Sequence, residues 1–313
     1  MNHPKAETTS IFPTDKLPVM LCDQLNAEAA MIDLSAVDPT ANDAVLWRWV
    51  PSAENGFAAR GFRHRIDDCK LKYSNRLQKH VLCVTSSAGF IGLAEYPSGK
   101  KIWEDFASDY GPHSIDYLPS GNIVVALSGN GHEGMQELRL YACDEDGIPT
   151  SDYSKVPFAS AHGVVWDEER NLVWALGRTT LAAFAVEGTP QAPVLKQVDG
   201  LGCPIPPHGH DLSISIADRS RLYISSNSVY LFDKNANALI SSFDGDGMIC
   251  TGAVKSITEH TDGSLLRTVA ANVYAGHNTN VLDIFRKDHN GTWTKKSYVF
   301  ENRAFYKARP VVF

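Results

Sequence analysis

Three histidines recur at nearly equal spacing along this 313-residue chain. His113, His162 and His210 are 49 and 48 residues apart, and each opens a short, largely apolar run. Imidazole gains and loses a proton near neutral pH, and its neutral form is a common metal ligand. If the repeating segments close into a ring, their shared register brings the three rings together. We therefore interpret them as acid–base groups or as ligands of one metal ion.

Charged residues hold the same position in the other repeats, at Asp68, Lys255 and Lys307. Ammonium and guanidinium groups form strong hydrogen bonds with carboxylates. Lys255, Lys307 and Arg309 are therefore predicted to bind an acidic substrate, while Asp68 orients a catalytic group. Further residues that the register places near the same mouth, and that we assign to substrate binding, are Arg65, Arg178 and His277. Neighbours of these positions in sequence include Asp67, His208 and Asp211.

The repeating unit is a pair of β-hairpins. Each opening residue starts one hairpin through a turn rich in small polar or charged residues, and a second hairpin follows. Four short strands in every 45 to 52 residues are typical of a propeller blade. Residues 19–50 supply only three strands of a blade, and 305–313 supply one. The sequence predicts an all-β, six-bladed β-propeller closed by the C-terminal strand, with a flexible segment over 1–12 and a single domain over 13–313.

Composition excludes several classes of partner. The chain has 29 Lys and Arg against 36 Asp and Glu, a net charge of −7, which disfavours nucleic acid and anionic lipid. No stretch approaches the roughly 20 apolar residues that a membrane helix needs, and residues 1–16 lack an apolar signal core. Six scattered cysteines form no C-x-x-C pair. We expect a cytoplasmic protein with no membrane partner and with structural cysteines.

The three histidines leave more than one chemistry open. Neutral imidazoles from adjacent blades can bind one divalent ion, and Mn, Zn, Fe or Ni would each suit a nitrogen-rich site. Alternatively, they serve as acid and base without metal, while the cations bind a carboxylate. A third interpretation is purely structural, since polar residues often line the water-filled channel of a propeller. Three histidines in one register favour the first two interpretations.

Several segments resemble a microbial family of six-bladed propeller proteins of unknown function. They include CDQ at 22–24, VTSS at 84–87, AHGVVWD at 161–167, GHDLS at 209–213 and YKAR at 306–309. The resemblance covers nearly the whole chain and implies a propeller, but it brings no settled activity. The histidines are also similar in residue type to those of propeller lyases that act on oligogalacturonate, which place metal-binding histidines on the channel face.

These residues favour a lyase acting on a small uronate-containing sugar. Elimination next to a carboxylate needs a base for the carbon-bound proton, a cation or metal for the developing charge, and an acid for the leaving oxygen. The expected partner is thus a small acidic sugar or another carboxylate. One alternative is a metal-dependent lactonase or hydrolase, although lactonases of the gluconolactonase type use a Glu, Asn and Asp cage. Another is a propeller that binds a ligand or peptide without catalysis.

Overall fold

A computed structural model describes residues 15–312 except 59, 63, 64, 275 and 276. Within these residues, 24 strands form six antiparallel sheets of four strands each. The predicted all-β propeller with six blades is confirmed. The flexible segment predicted over 1–12 lies outside the described residues. No helix in the described part of the chain is long and apolar enough to cross a membrane.

The blades follow one another along the chain. Blade I contains β1 (Pro18–Asp23), β2 (Glu28–Asp33), β3 (Val45–Trp49) and the last strand of the chain. Blade II contains β4 (Ile66–Ser74), β5 (Lys79–Ser86), β6 (Phe90–Tyr96) and β7 (Lys101–Phe106). Blade III contains β8 (Pro112–Tyr117), β9 (Ile123–Leu127), β10 (Glu137–Cys143) and β11 (Pro149–Pro157).

The second half repeats this order. Blade IV contains β12 (Gly163–Asp167), β13 (Leu172–Leu176), β14 (Thr180–Thr189) and β15 (Ala192–Pro204). Blade V contains β16 (Asp211–Ile214), β17 (Arg221–Ser225), β18 (Val229–Asp233) and β19 (Ala238–Ile240). Blade VI contains β20 (Val254–Glu259), β21 (Leu265–Val269), β22 (Val281–Lys287) and β23 (Trp293–Val299), and β24 (Phe305–Pro310) follows. The described helical turns are short, at Asn42–Ala44, Gly129–Gly131, Glu133–Met135 and Asp246–Ile249.

The C-terminal strand closes the ring, as predicted. β24 pairs antiparallel with β1, with Val19 opposite Pro310 and Leu21 opposite Ala308. It is therefore the innermost strand of blade I, and it lies beside β4 and β20, the innermost strands of blades II and VI. Pairing in this way removes the open edge that β1 would otherwise expose. The six innermost strands surround the central channel.

Apolar side chains fill the spaces between neighbouring blades. Between blades I and II, Trp49 packs edge-on against Phe57 and Phe62, with ring centroids 5.2 and 5.8 Å apart. Between blades IV and V, fully buried Trp174 packs against Phe232 at 5.5 Å. Burying each large apolar side chain contributes roughly 1.5–3 kcal/mol. These contacts hold the inner strands, and the polar side chains on them, in fixed positions.

Candidate active site at the channel mouth

Four consecutive inner strands are entered through the same backbone turn. Two residues before each strand-entry side chain, the chain has a positive φ: 57° at Gly111, 49° at Ser160, 72° at His208 and 59° at Ala253. This conformation is easy for glycine and uncommon for other residues. Its repetition brings four side chains to the same end of the channel: His113, His162, His210 and Lys255. These four, together with Asp67, are called the histidine mouth below.

Three of the strand entries contain a β-bulge. In blade II, Ile66 pairs with Ser86 and Asp68 pairs with Thr85, so one residue of β4 between these two pairs has no partner on β5. Equivalent shifts occur in blades III and VI. The residues in the bulges are Asp67, His113 and Lys255. A bulge re-aims the side chain of the extra residue. In blade II the counterpart of His113 is therefore Asp67, whereas the sequence register pointed to Asp68.

Two of the histidines have a defined proton position. The Nδ1 atom of His113 lies 2.8 Å from the carbonyl oxygen of Gly111, and that of His162 lies 2.8 Å from the carbonyl oxygen of Ser160. A carbonyl oxygen only accepts, so each ring donates its N–H from Nδ1 and keeps a lone pair on Nε2. The two rings are 4.4 Å apart between centroids. The two rings therefore lie in contact, and each has an unprotonated Nε2 atom.

The third histidine is held by a lysine instead. The Nζ atom of Lys255 lies 2.8 Å from Nε2 of His210 and donates to it, which places the ring proton on Nδ1. That Nδ1 atom is buried and has no hydrogen-bond partner among the described residues. The ring centroid lies 5.6 Å from that of His162. The ring of His210 thus lies next to that of His162, but its Nε2 lone pair accepts a hydrogen bond from the Lys255 cation.

Burial and neighbouring cations keep these imidazoles neutral. Burial lowers the pKa of His113 to about 4, and the charges of Lys307 and Lys255 add to the effect. Burial also lowers the pKa of His162, followed by the proximity of His113, and lowers that of His210, followed by Lys255. At neutral pH the three rings are therefore bases rather than cations.

Lys255 is a buried cation that has no counter-ion among the residues described by the structure. Its side chain is almost enclosed, at 5% exposure, and within the described residues it forms no ion pair with a carboxylate. Burial and the nearby charge of Lys307 lower its pKa to about 8, so it is still mostly protonated at neutral pH. An uncompensated buried charge is costly and attracts an anion. Lys255 is the best placed of the predicted cations to bind one.

Lys307 and Arg309 are instead neutralised inside the channel. Arg309 binds both carboxylate oxygens of Asp211 at 2.7 and 2.6 Å, and its Nε binds Asp68 at 2.7 Å. Lys307 is fully buried, lies 3.2 Å from Asp211 and donates to the carbonyl oxygen of His113 at 3.0 Å. We call Asp68, Asp211, Lys307 and Arg309 the charged belt. Within it, the cation charge holds the pKa of Asp68 well below its usual range.

A cleft of about 1040 Å³ opens beside the histidine mouth, between blades III and IV. His113 and His162 line it together with Arg65 and Arg178, two of the predicted substrate-binding residues. Its other lining residues are Ser128, Asn130, Gly131, Glu133, Gln136, Pro157, Phe158, Ala159, Ser160 and Thr179. The remaining predicted residue, His277, is exposed and stands near Lys255, whose charge lowers its pKa. The structure thus divides the predicted residues between mouth, belt and cleft.

Asp67 is a functional candidate in the structure, whereas the sequence register assigned the equivalent position to Asp68. Its Oδ1 atom lies 3.8 Å from Nε2 of His113, and its Oδ2 atom accepts the backbone N–H of Ser87. Burial raises the pKa of Asp67 to about 7. A carboxyl group that is partly protonated at neutral pH can donate a proton to a substrate oxygen. The bulge that turns it toward the mouth has no signature in hydrophobic periodicity.

Binding of a metal ion depends on the unprotonated Nε2 atoms of His113 and His162. Metal-bound histidines commonly donate their second N–H to a backbone carbonyl, as His113 and His162 do. However, no group of three or more His, Cys, Asp or Glu side chains among the described residues is arranged to hold an ion. The predicted three-histidine metal site therefore stays a prediction.

A model for a family of unknown function, DUF6528, matches residues 7–307. The chain belongs to this family. No curated protein matches it at a significant level. Membership agrees with the resemblance found in the sequence, and it leaves the activity to be argued from the site.

Solved structures show the same fold at low sequence identity. A functionally unknown protein from Desulfotomaculum acetoxidans is 10% identical with a TM-score of 0.58, over 96% of this chain and 90% of that one. A putative 6-phosphogluconolactonase from Bacteroides fragilis is 15% identical with a TM-score of 0.58, over 91% and 82%. Another from Bacteroides uniformis is 13% identical with a TM-score of 0.53, over 91% and 83%. At these identities the likeness shows the propeller fold alone.

Proposed function

We propose that the chain is a carbon–oxygen lyase that acts on a uronate-containing sugar at the histidine mouth. The observation that carries this proposal is the pairing of Lys255, a buried cation with no carboxylate partner among the described residues, with adjacent neutral imidazoles. A carboxylate bound at Lys255 would neutralise the buried charge. It would also place the acidic C–H bond next to that carboxylate near a base.

The mouth offers a group for each part of the elimination. Nε2 of His162 takes the proton from C5, and the ammonium of Lys255 stabilises the enolate charge that develops on the carboxylate. The C4–C5 double bond forms as the C4–O bond breaks. Asp67, whose pKa is raised to about 7, gives its proton to the leaving oxygen. One proton leaves carbon and one reaches oxygen, so the reaction needs no redox partner.

The test is formation of the conjugated double bond, followed by its ultraviolet absorbance, with an oligouronide as substrate. Replacing the base in His162→Gln should lower kcat by about 10²- to 10⁴-fold. The matched control is His289→Gln, because His289 lies in the exposed turn between β22 and β23. Equal rates for both variants, or no unsaturated product from any uronide, would contradict the proposal.

A lactonase is the second candidate, and the neutral imidazoles favour it as well. His113 or His162 could activate water for attack on a lactone, and the two Bacteroides proteins of similar fold are described as putative 6-phosphogluconolactonases. The product separates the two reactions, since hydrolysis releases acid and creates no double bond. Acid release from an aldonolactone that depends on the mouth histidines would replace the lyase proposal.

We also propose that a divalent ion, if one takes part, binds at the Nε2 atoms of His113 and His162, and that His210, the third predicted ligand, joins them only when Lys255 releases its Nε2 atom. Elemental analysis of protein purified without chelator measures this directly. Stoichiometric metal that is lost in His162→Ala would support it. Full activity in chelator-treated protein would show that the reaction proceeds by acid–base catalysis without a metal. Ligand binding without turnover under either condition would indicate a binding propeller.

A further inference from the structure

The cleft is larger than a single sugar ring requires. Its volume of about 1040 Å³ lies at the upper end of the roughly 300–1,000 Å³ found for pockets that enclose a drug-sized ligand. Of the histidine mouth, His113 and His162 line the cleft. The rest of the cleft extends across the loops of blades III and IV, through Gln136, Phe158 and Thr179. Space is therefore available for sugar residues beyond the one that reacts.

The cleft also contains two arginines that form no ion pair with the described residues. Arg65 and Arg178 are exposed in its wall, and neither guanidinium is ion-paired within the described part of the chain. Buried arginines elsewhere are paired, for example Arg309 with Asp211 and Arg303 with Asp23. Glu133 is an acidic residue in the same wall, so these three side chains leave a net charge of +1. An anionic group on a bound ligand would find a free guanidinium here.

An apolar surface lies between these charges. Phe158 is half-buried in the cleft wall, and its ring is fixed edge-on against Phe184 with centroids 5.8 Å apart. Pro157 precedes it in the same wall. A fixed aromatic ring buries apolar area at low entropic cost, and the C–H face of a sugar ring supplies such area. The wall thus combines a stacking surface with a carboxylate-binding group.

From this arrangement we infer that the substrate is an oligouronide of at least two residues. One carboxylate binds at Lys255, and the carboxylate of a neighbouring sugar binds Arg178, with Phe158 beneath the sugar ring. This inference rests on the proposed function, because it assumes that the reacting residue is a uronate. It adds a second anion subsite, which determines the length and charge of the preferred substrate.

Calorimetric titration with galacturonate, digalacturonate and trigalacturonate tests the subsite. All proteins in this titration carry His162→Gln, so that the oligomers are not cleaved during the measurement. With the wild-type residue at position 178, the trimer should bind at least tenfold more tightly than the monomer. Arg178→Ala should bring this ratio close to one, and Arg178→Lys should restore part of it. The control is Arg219→Ala, because Arg219 is a comparably exposed arginine that lines the pocket at Lys72 and Glu259, outside the cleft. It should keep the tenfold ratio.

Failure of the subsite differs from failure of the proposed function. A trimer-to-monomer ratio near one with Arg178 in place, or a ratio unchanged in Arg178→Ala, would overturn the subsite even if the monomer is turned over. A tenfold ratio that depends on Arg178, without any unsaturated product from the wild type, would support the subsite and contradict the lyase. No binding of any of the three sugars would overturn both.

Discussion

The channel contains two groups of titratable side chains that are built in opposite ways. In the charged belt, Arg309 spans Asp68 and Asp211 with three short hydrogen bonds, and Lys307 completes the cluster. In the histidine mouth, the one lysine has only an imidazole as a side-chain partner in the described structure. Asp67 and Lys255 are as deeply buried as the belt residues, whereas the three histidines are partly exposed, so burial alone does not separate the two groups. The absence of a compensating partner does.

The two groups also have different expected roles: the charged belt stabilises the fold, and the histidine mouth serves binding and chemistry. The belt carries its countercharges with it and ties blade I to blades II and V, because Asp68 lies on β4 and Asp211 on β16. The mouth instead holds neutral bases and a cation that a ligand can neutralise. We therefore expect belt substitutions to affect folding first, and mouth substitutions to affect binding or turnover first.

The largest effect is expected from removing the strand that carries half of the belt. Deleting residues 305–313 exposes the edge of β1, leaves Asp211 buried without its cations and leaves Asp68 with Lys70 as its remaining cationic partner. The protein should become insoluble, or lose its cooperative thermal transition if it is recovered. Circular dichroism and soluble yield measure this outcome. A soluble deletion variant with an unchanged Tm would contradict the ring closure by β24.

A smaller loss is expected from breaking one belt contact. Asp211→Ala leaves the guanidinium of Arg309 partly unpaired and should cost about 3–5 kcal/mol of unfolding free energy. His113→Ala at the mouth should cost about 1 kcal/mol, typical of an average substitution. Urea denaturation of the two variants gives the comparison. Equal losses would remove the distinction between belt and mouth.

Much of this division could be predicted from the sequence, since the blades repeat at near-constant spacing. The same spacing put His113, His162 and His210 in one register, and the structure places their rings in a continuous row. The belt could not be predicted, because Arg309 on blade I bonds to Asp211 on blade V, which is not an adjacent blade. Periodicity describes each strand but says nothing about contacts between non-adjacent strands.

Asp67 shows a second limit of the sequence. The strand register aligned Asp68 with the histidines, and the bulge in blade II moves the correspondence by one residue. A bulge depends on how two strands pair, so a single strand pattern does not reveal it. The guanidinium groups of Arg65 and Arg178 were predicted to bind substrate. The structure adds that they share one cleft.

The pH dependence of ligand binding sharpens the comparison further. Because the pKa of Lys255 is lowered to about 8, its charge is present below that pH and is lost above it. The sugar carboxylate stays ionised throughout, so the charge of Lys255 supports uronate binding up to about pH 7.5, with a smaller decrease in affinity as Asp67 ionises near pH 7. Above pH 8 the affinity should fall by up to tenfold per pH unit. Calorimetry measures the profile, and Lys255→Met should flatten it above pH 8.

An affinity that is independent of pH between 6 and 10 in the wild type would show that Lys255 does not carry the interaction. The matching neutral sugar serves as the control ligand, because its binding should not follow the charge of Lys255. A profile shared by acidic and neutral sugars would point to a general change in the protein instead.

The most direct test of the account is the protonation state of the mouth histidines, measured by nitrogen-15 NMR of histidine-labelled protein. His113 should remain neutral with its proton on Nδ1 from pH 8 down to about pH 5, because its pKa is lowered to about 4. His162 should show the same tautomer. Substitution of each histidine in turn assigns the signals. If His113 titrates near the ordinary value of about 6.5, or carries its proton on Nε2, the mouth does not present the free bases on which the proposed chemistry depends.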